Sequence, residues 1–479
     1  MLRLIASLSL GLCLTVASLE TARAGAFYLP ERGARALSLG GAFIAGADDM
    51  NAQWLNPAAL TRLNDGLNLY LDLAIIFGDQ TFDRQDDAEV MRKDPTYADG
   101  FPTASDHGGP FPDPSLGIAT NFGLKDFMFA FGVYGPYAGT NKWDEDGPQR
   151  YSLVSLDALE LFAQVSIAYR PIPRLSLGVG LQWVVTSLTQ RLVISAYPGV
   201  FGWSEERDLE AFAEVKAADS FTPSANLGAL VSPTDMLDIG LSAQLPASVE
   251  ASGKLKVNTP SHYYFSDVTV RGDNIDVALD FPLILRLGVR LHDPHAPDAK
   301  GDLAAELWSV EAAFVYELWS TQDKIAVSPG KGGIAFENVP GIGTYNVKAF
   351  AIEQDYQDVY SLRLGASFRP GLGPVTVRLG GCYESGAPPD QTLTVLDIDG
   401  DKVEVGLGGT LHLGSVYLDL AAAWIETFER TVTNSEKTQV NPIFDADPKP
   451  YPDSGPSVVG NGTYHASNFI VALTFGVAL

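Results

Sequence analysis

The feature that most constrains this chain is a period of two in its apolar residues, sustained from about residue 66 to residue 479. Near the end, Phe469, Val471, Leu473, Phe475, Val477 and Leu479 share one face, and Asn468, Ala472, Thr474, Gly476 and Ala478 share the other. Successive side chains of a strand point to opposite faces, so this is a strand with one greasy side and one small or polar side. Leu67, Leu69, Leu71, Leu73, Ile75 and Phe77 alternate in the same way with Asn68, Tyr70, Asp72 and Ala74. A soluble sandwich also alternates. Here the apolar face stays Leu, Val and aromatic from strand to strand, while the other face carries Glu160, Glu311 and Glu317. A dry core would not accept such charges unpaired.

Connection lengths sharpen the reading. The alternation predicts fourteen strands, near 66–78, 114–123, 126–135, 157–170, 173–196, 220–232, 235–253, 276–292, 304–320, 356–369, 373–385, 401–413, 415–429 and 466–479. Short links at 123–125, 171–173, 232–234, 369–374 and 413–414, with a compact one at 292–302, alternate with long ones such as 79–113, 136–156, 321–355 and 430–465. Short turns on one side and long loops on the other describe an outer-membrane barrel. In lipid such a sheet must close, because an open edge would leave backbone N–H and C=O groups without partners. The expected fold is therefore all-β, a 14-stranded antiparallel transmembrane barrel over residues 66–479. Both chain ends lie on the short-turn, periplasmic side. A ring that wide is not filled by its own side chains, so it is either plugged or a pore.

The beginning of the chain reads as a leader over 1–24. Arg3 supplies the positive charge, Leu4 to Leu19 is apolar, and Ala22-Arg23-Ala24 predicts cleavage after Ala24. Cys382 is then the sole cysteine, which excludes an intrachain disulfide and a cysteine zinc cluster. The net charge of −26 argues against nucleic acid, whose phosphates require clustered Lys and Arg. No G-x-S-x-G elbow accompanies the six histidines. His292 and His295, with Asp293 and Asp298, read as a solvated turn rather than a metal site. We expect no enzyme activity, no cofactor and no metal.

Residues 25–65 break the alternation. They are rich in small residues, with Gly33-Ala34-Arg35-Ala36, Gly40-Gly41-Ala42, Ala47-Asp48-Asp49 and Asn56-Pro57-Ala58. Small residues permit close backbone approach, and Pro57 ends any ladder. The stretch is expected to be a compact domain lying inside the barrel.

These segments resemble the N-terminal hatch of the FadL family of hydrophobic-compound transporters, of which Asn56-Pro57-Ala58 is the hallmark. The resemblance continues at Leu318-Trp319-Ser320 and at Tyr383 to Pro389. It implies uptake of long-chain fatty acids or other hydrophobic compounds through a plugged barrel, as a monomer among outer-membrane lipids and lipopolysaccharide of a Gram-negative cell. The alternatives are an aromatic-hydrocarbon transporter of the same fold and an open porin or adhesin barrel. It also implies that Phe27 stands beside an apolar pocket, and that a kinked third strand opens the wall sideways. In this chain the third strand runs into Gly135-Pro136, where Pro has no N–H to donate. Arg286, Arg290, Arg363, Arg369 and Arg378 fall on the inner face opposite Glu311, Glu317, Glu384 and Glu404. Most of these are expected to be ion pairs holding the hatch. Arg363 or Arg378 is the expected partner of a substrate carboxylate, since guanidinium binds carboxylates in a bidentate fashion.

Overall fold

The computed structural model describes residues 33–198, 201–294, 306–339, 342–371, 374–441 and 456–479. The leader and its cleavage site, Phe27, His295 and Asp298 lie outside the described residues. The wall consists of fourteen strands: β1 (Leu67–Arg84), β2 (Phe111–Thr120), β3 (Phe127–Lys142), β4 (Ser155–Ile172), β5 (Leu175–Ser195), β6 (Glu210–Thr234), β7 (Leu237–Gln244, resuming as Ala247–Val257), β8 (Asn274–Phe281, resuming as Ile284–His292), β9 (Trp308–Glu317), β10 (Val359–Phe368), β11 (Val375–Glu384), β12 (Lys402–Leu413), β13 (Val416–Val432) and β14 (Gly462–Ala478). Each pairs antiparallel with the next. The ring closes where β1 meets β14, in register from Asn68↔Ala478 to Arg84↔Gly462. Leu67 and Leu479 clamp the seam, each amide donating to the other's carbonyl at 2.9 and 2.7 Å.

Outward side chains decide between lipid and water. Leu181 is 67% exposed and Leu407 62%, and similar Leu, Val and aromatic residues recur round the ring. Apolar area costs roughly 25 cal/mol per Å² in water, so a continuous belt of this kind requires lipid. Several strands run further on the long-loop side than the alternation predicts. β1 reaches Arg84, β3 reaches Lys142, β6 begins at Glu210 and β14 begins at Gly462. Beyond the hydrocarbon layer the outer face no longer needs to be apolar, so the period fades while the ladder continues. β7 and β8 are interrupted at Leu245-Pro246 and Pro282-Leu283, because proline cannot donate to a ladder.

Residues 33–63 lie inside the ring as α1 (Gly33–Ser38), α2 (Ala52–Leu55) and a 3₁₀ turn, Pro57–Arg62. Asn56 separates the last two. Its backbone amide donates to Ala52 O at 2.9 Å, closing α2, and its side-chain oxygen accepts from Ala58 N at 3.2 Å. Pro57 then occupies the first position of the turn, where an N–H would have no partner. The wall makes room with glycine. A Cβ on Gly178 would stand 2.3 Å from the Pro57–Ala58 backbone, one on Gly380 2.0 Å from Leu39, and one on Gly406 2.1 Å from the Leu37 carbonyl.

Charged and polar side chains fasten this segment all the way round. Arg35 bridges Asp48 at 2.8 Å and Asp419 of β13 at 2.9 Å. Arg62 reaches Asp238 of β7 at 2.5 Å. Glu311 of β9 accepts three consecutive amides, Ile44, Ala45 and Gly46, at 2.7 to 2.8 Å. Gln164 of β4 donates to the Gln53 carbonyl at 2.9 Å.

Candidate functional site

Above the inner segment the lumen becomes apolar. Trp54 of α2, 1% exposed, lies 5.7 Å from both Tyr134 of β3 and Phe162 of β4, ring centre to ring centre. Tyr137 stacks on Phe281 of β8 at 4.3 Å and meets Trp319 edge-on at 6.4 Å. The same connected cluster climbs through Val249, Ile275 and Val277 to Val327 and Ile334 on the loop side. These residues line an apolar column from the extracellular loops down to Trp54. Tyr134, Tyr137, Phe162, Val249, Ile275, Val277 and Phe281 among them occupy buried, inward positions of wall strands whose inner face is elsewhere polar. Tyr134, Phe162 and Phe281 interrupt that polar face with aromatic rings, a signal present in the sequence that the period-two pattern alone does not single out.

The column ends against a break in the wall. β2 and β3 are in register only from Leu116↔Val133 to Thr120↔Phe129. Above that level Phe111 to Ser115 still pair with β1, and Tyr137 to Lys142 still pair with β4. Between Tyr134 and Tyr137, three steps of β3 oppose two of β4, from Phe162 to Glu160. That one-residue excess is a bulge, and it contains Gly135-Pro136. On the facing edge, β2 carries Pro112 and Pro114, two alternate residues without an N–H. A strand tolerates such residues only where the neighbour on that side is missing. The slot is closed at its upper end. Asp106 accepts from Asn141 Nδ2 at 2.9 Å and from Lys142 N at 2.7 Å, and His107 N donates to Lys142 O at 2.7 Å.

The arginines divide between two places. Arg363 of β10 is 3.1 Å from Glu384, which also meets Lys402 at 3.2 Å. Arg286 of β8 lies over the Trp54 ring at 4.9 Å, at the floor of the column. Arg378 of β11 is on the periplasmic side of the inner segment, where it donates to Thr410 at 2.6 Å and lines a polar cleft with Asp48, Glu306 and His412. Arg363 and Arg378 therefore do not share one site. Asn56 and Ala58 also lie on the floor, facing the wall. Asn56 donates to Ile44 O and Ala229 O at 3.1 and 3.2 Å. His292 is not in a solvated turn: it ends β8, 1% exposed, with Asp238 at 3.2 Å. Among the described residues no group of three or more His, Cys, Asp or Glu is arranged to hold a metal ion.

The extracellular end is capped by loops. Arg84 pairs with Glu205, and Arg150 with Glu210 at 2.6 Å, all four largely buried. Burial alone would depress the Arg150 guanidinium, but Tyr151 and Glu210 facing it hold it above the usual arginine range.

A plugged barrel with an apolar column and a slot in its wall can be compared with known proteins. The family profile described as outer membrane protein transport protein (OMPP1/FadL/TodX) matches residues 14–475. The chain belongs to the FadL/TodX family. The family consists of transport proteins of the outer membrane, not enzymes. Among solved structures, a FadL homologue from Pseudomonas aeruginosa superposes with a TM-score of 0.73 at 16% identity, covering 95% of this chain and 99% of that one. The toluene transporter TodX of Pseudomonas putida gives 0.63 at 16% identity, over 95% of this chain and 100% of that one. The toluene transporter TbuX of Ralstonia pickettii gives 0.60 at 17%, over 94% and 99%. At these identities the likeness to FadL/TodX structures establishes the fold. No protein of curated function matches the chain.

Proposed function

We propose that this FadL/TodX-type barrel admits hydrophobic compounds at its loop end, holds them in the aromatic column above Trp54, and releases them sideways between β2 and β3. Residues 25–65 act as the hatch that denies passage straight to the periplasm, and the leader over 1–24 directs export. The observation that carries this reading is that the apolar column meets the wall where the β2–β3 register stops, beside the Gly135-Pro136 bulge. Cargo leaving there enters the bilayer without crossing the polar sugars of lipopolysaccharide.

Neutral aromatic compounds are the cargo best matched by the lining. Rings stack on Tyr137, Phe162 and Phe281, and such pairs contribute about 0.5–1.5 kcal/mol beyond the area they bury. The guanidiniums nearest the column are already engaged, Arg363 with Glu384 and Arg286 with the Trp54 ring and carbonyl. A fatty-acid carboxylate would have to displace Glu384 from Arg363, or reach Arg378 beyond the hatch. Uptake of labelled toluene and of labelled oleate by cells lacking other such transporters, with and without this chain, tests the reading. Toluene entry that depends on the chain and exceeds oleate entry is expected. Oleate entry alone would overturn the cargo assignment, and no chain-dependent entry of either would overturn the proposal.

A further inference from the structure

Polar residues on the inner face of β4 fall into two groups. Gln164 and Ser166, low on the strand, are tied to the hatch and its supports. Glu160, one turn of the pleat above Phe162, is different. It is 5% exposed, and its Oε2 is buried without a hydrogen-bond partner. Its neighbours along the strand are Ala158 and Phe162, and across β3 it faces Tyr137. Across β5 it is in register with Thr186, which is 1% exposed and whose Oγ1 is also buried without a partner. Residues paired in this way hold their Cβ atoms about 4.5–5.5 Å apart. Two unused polar groups thus stand side by side, while Asp219, in register with Thr186 on β6, is already bonded to Phe221 and Thr222; buried polar groups in native proteins are as a rule bonded. A purely structural role would show itself as bonds to the hatch, as Glu311 makes. The pair is also at the slot: a Cβ built on Gly135 of the bulge would lie 3.0 Å from the Glu160 carbonyl oxygen.

We propose that Glu160 and Thr186 form a binding site for the hydroxyl group of a phenolic or other aromatic alcohol held in the column. A hydroxyl has one donor and two lone pairs. Its hydrogen goes to a Glu160 carboxyl oxygen, and one lone pair accepts from the Thr186 hydroxyl, while the ring lies among Tyr137, Phe162 and Phe281. A carboxylate headgroup would have to shed its water in this buried lining, so the site also selects against fatty acids. This deepens the reading of the column as the cargo site and rests on it.

The test is equilibrium binding of p-cresol and toluene to the purified barrel in detergent, in the wild type and in Thr186→Val and Glu160→Leu. Thr186→Val keeps the shape and removes only the hydroxyl. Wild type is expected to favour p-cresol over toluene by about tenfold or more, as an otherwise orphaned hydrogen-bonding pair would require. Thr186→Val should erase most of that preference while leaving toluene within about twofold, and Glu160→Leu should do the same if it folds. A p-cresol to toluene ratio near one in wild type, or one unchanged in Thr186→Val, overturns the inference while toluene binding upholds the column. Binding of neither compound overturns the column reading itself.

Discussion

The side chains that fasten the hatch are more specific than the charge pattern of the inner face alone implies. Glu311 faces Arg290 in register between β9 and β8, as expected. It also collects three successive amides of the hatch, and a carboxylate accepting several N–H groups forms among the strongest neutral-to-charged contacts available. Removing it orphans three buried donors, at a cost on the order of 3 kcal/mol or more. Glu311→Ala should therefore leave the wall intact but loosen residues 44–46, seen as faster hydrogen exchange at those amides with unchanged β-sheet circular dichroism. Unchanged exchange would remove Glu311 from its anchoring role. Arg378 gives a contrasting case. It lies beyond the hatch from the column, so Arg378→Ala should leave toluene uptake within about twofold of wild type, as expected for a side chain that never meets the cargo. A collapse of uptake in that variant would place the transport path on the periplasmic side of the hatch.

At the scale of the element, the sequence was most legible where lipid enforces a period of two. All fourteen strands were readable, because a residue misplaced to the lipid face is expensive and the pattern stays clean. Strand ends on the loop side were not, since water on both faces relaxes that pressure, as at Arg84 and Glu210. Gly135-Pro136 could be found because proline has a fixed backbone consequence. Its counterpart, the Pro112 and Pro114 edge of β2, carried the same signal and was passed over. The chamber residues were hidden for a different reason: Trp54, Tyr137 and Trp319 come from three separate segments, and only the closed ring brings them together. The inward glycines form another element-level code. They mark where strand and hatch backbones touch, so Gly178→Val or Gly406→Val should force the hatch out of place at about 1–3 kcal/mol, the usual cost of overpacking. Ion conductance in planar bilayers should then appear where the unmodified barrel shows little. Equal conductance in both would mean that these glycines do not set the fit of the hatch.

For the molecule as a whole, the wall, the plug and the slot form one device. Closure pairs the strand edges that lipid would otherwise penalise, except where β2 and β3 part above Leu116↔Val133, and residues 33–63 lie within the opening that closure creates. On the proposed reading cargo takes no axial route past the hatch, and the bulge in β3 supplies a lateral one. Family membership and the superposed structures establish the scaffold. The slot is where this account can fail. Deleting Pro136 removes the extra residue of the bulge, so β3 can stay in step with β4 past Tyr134. Uptake of labelled toluene by cells carrying this deletion, compared with wild type at equal amounts of folded, detergent-resistant barrel, is the most direct measurement. Lateral release predicts at least a tenfold loss of uptake while the barrel remains folded, the scale expected when a conformational gate limits the rate. Uptake at the wild-type rate through the straightened strand would contradict it.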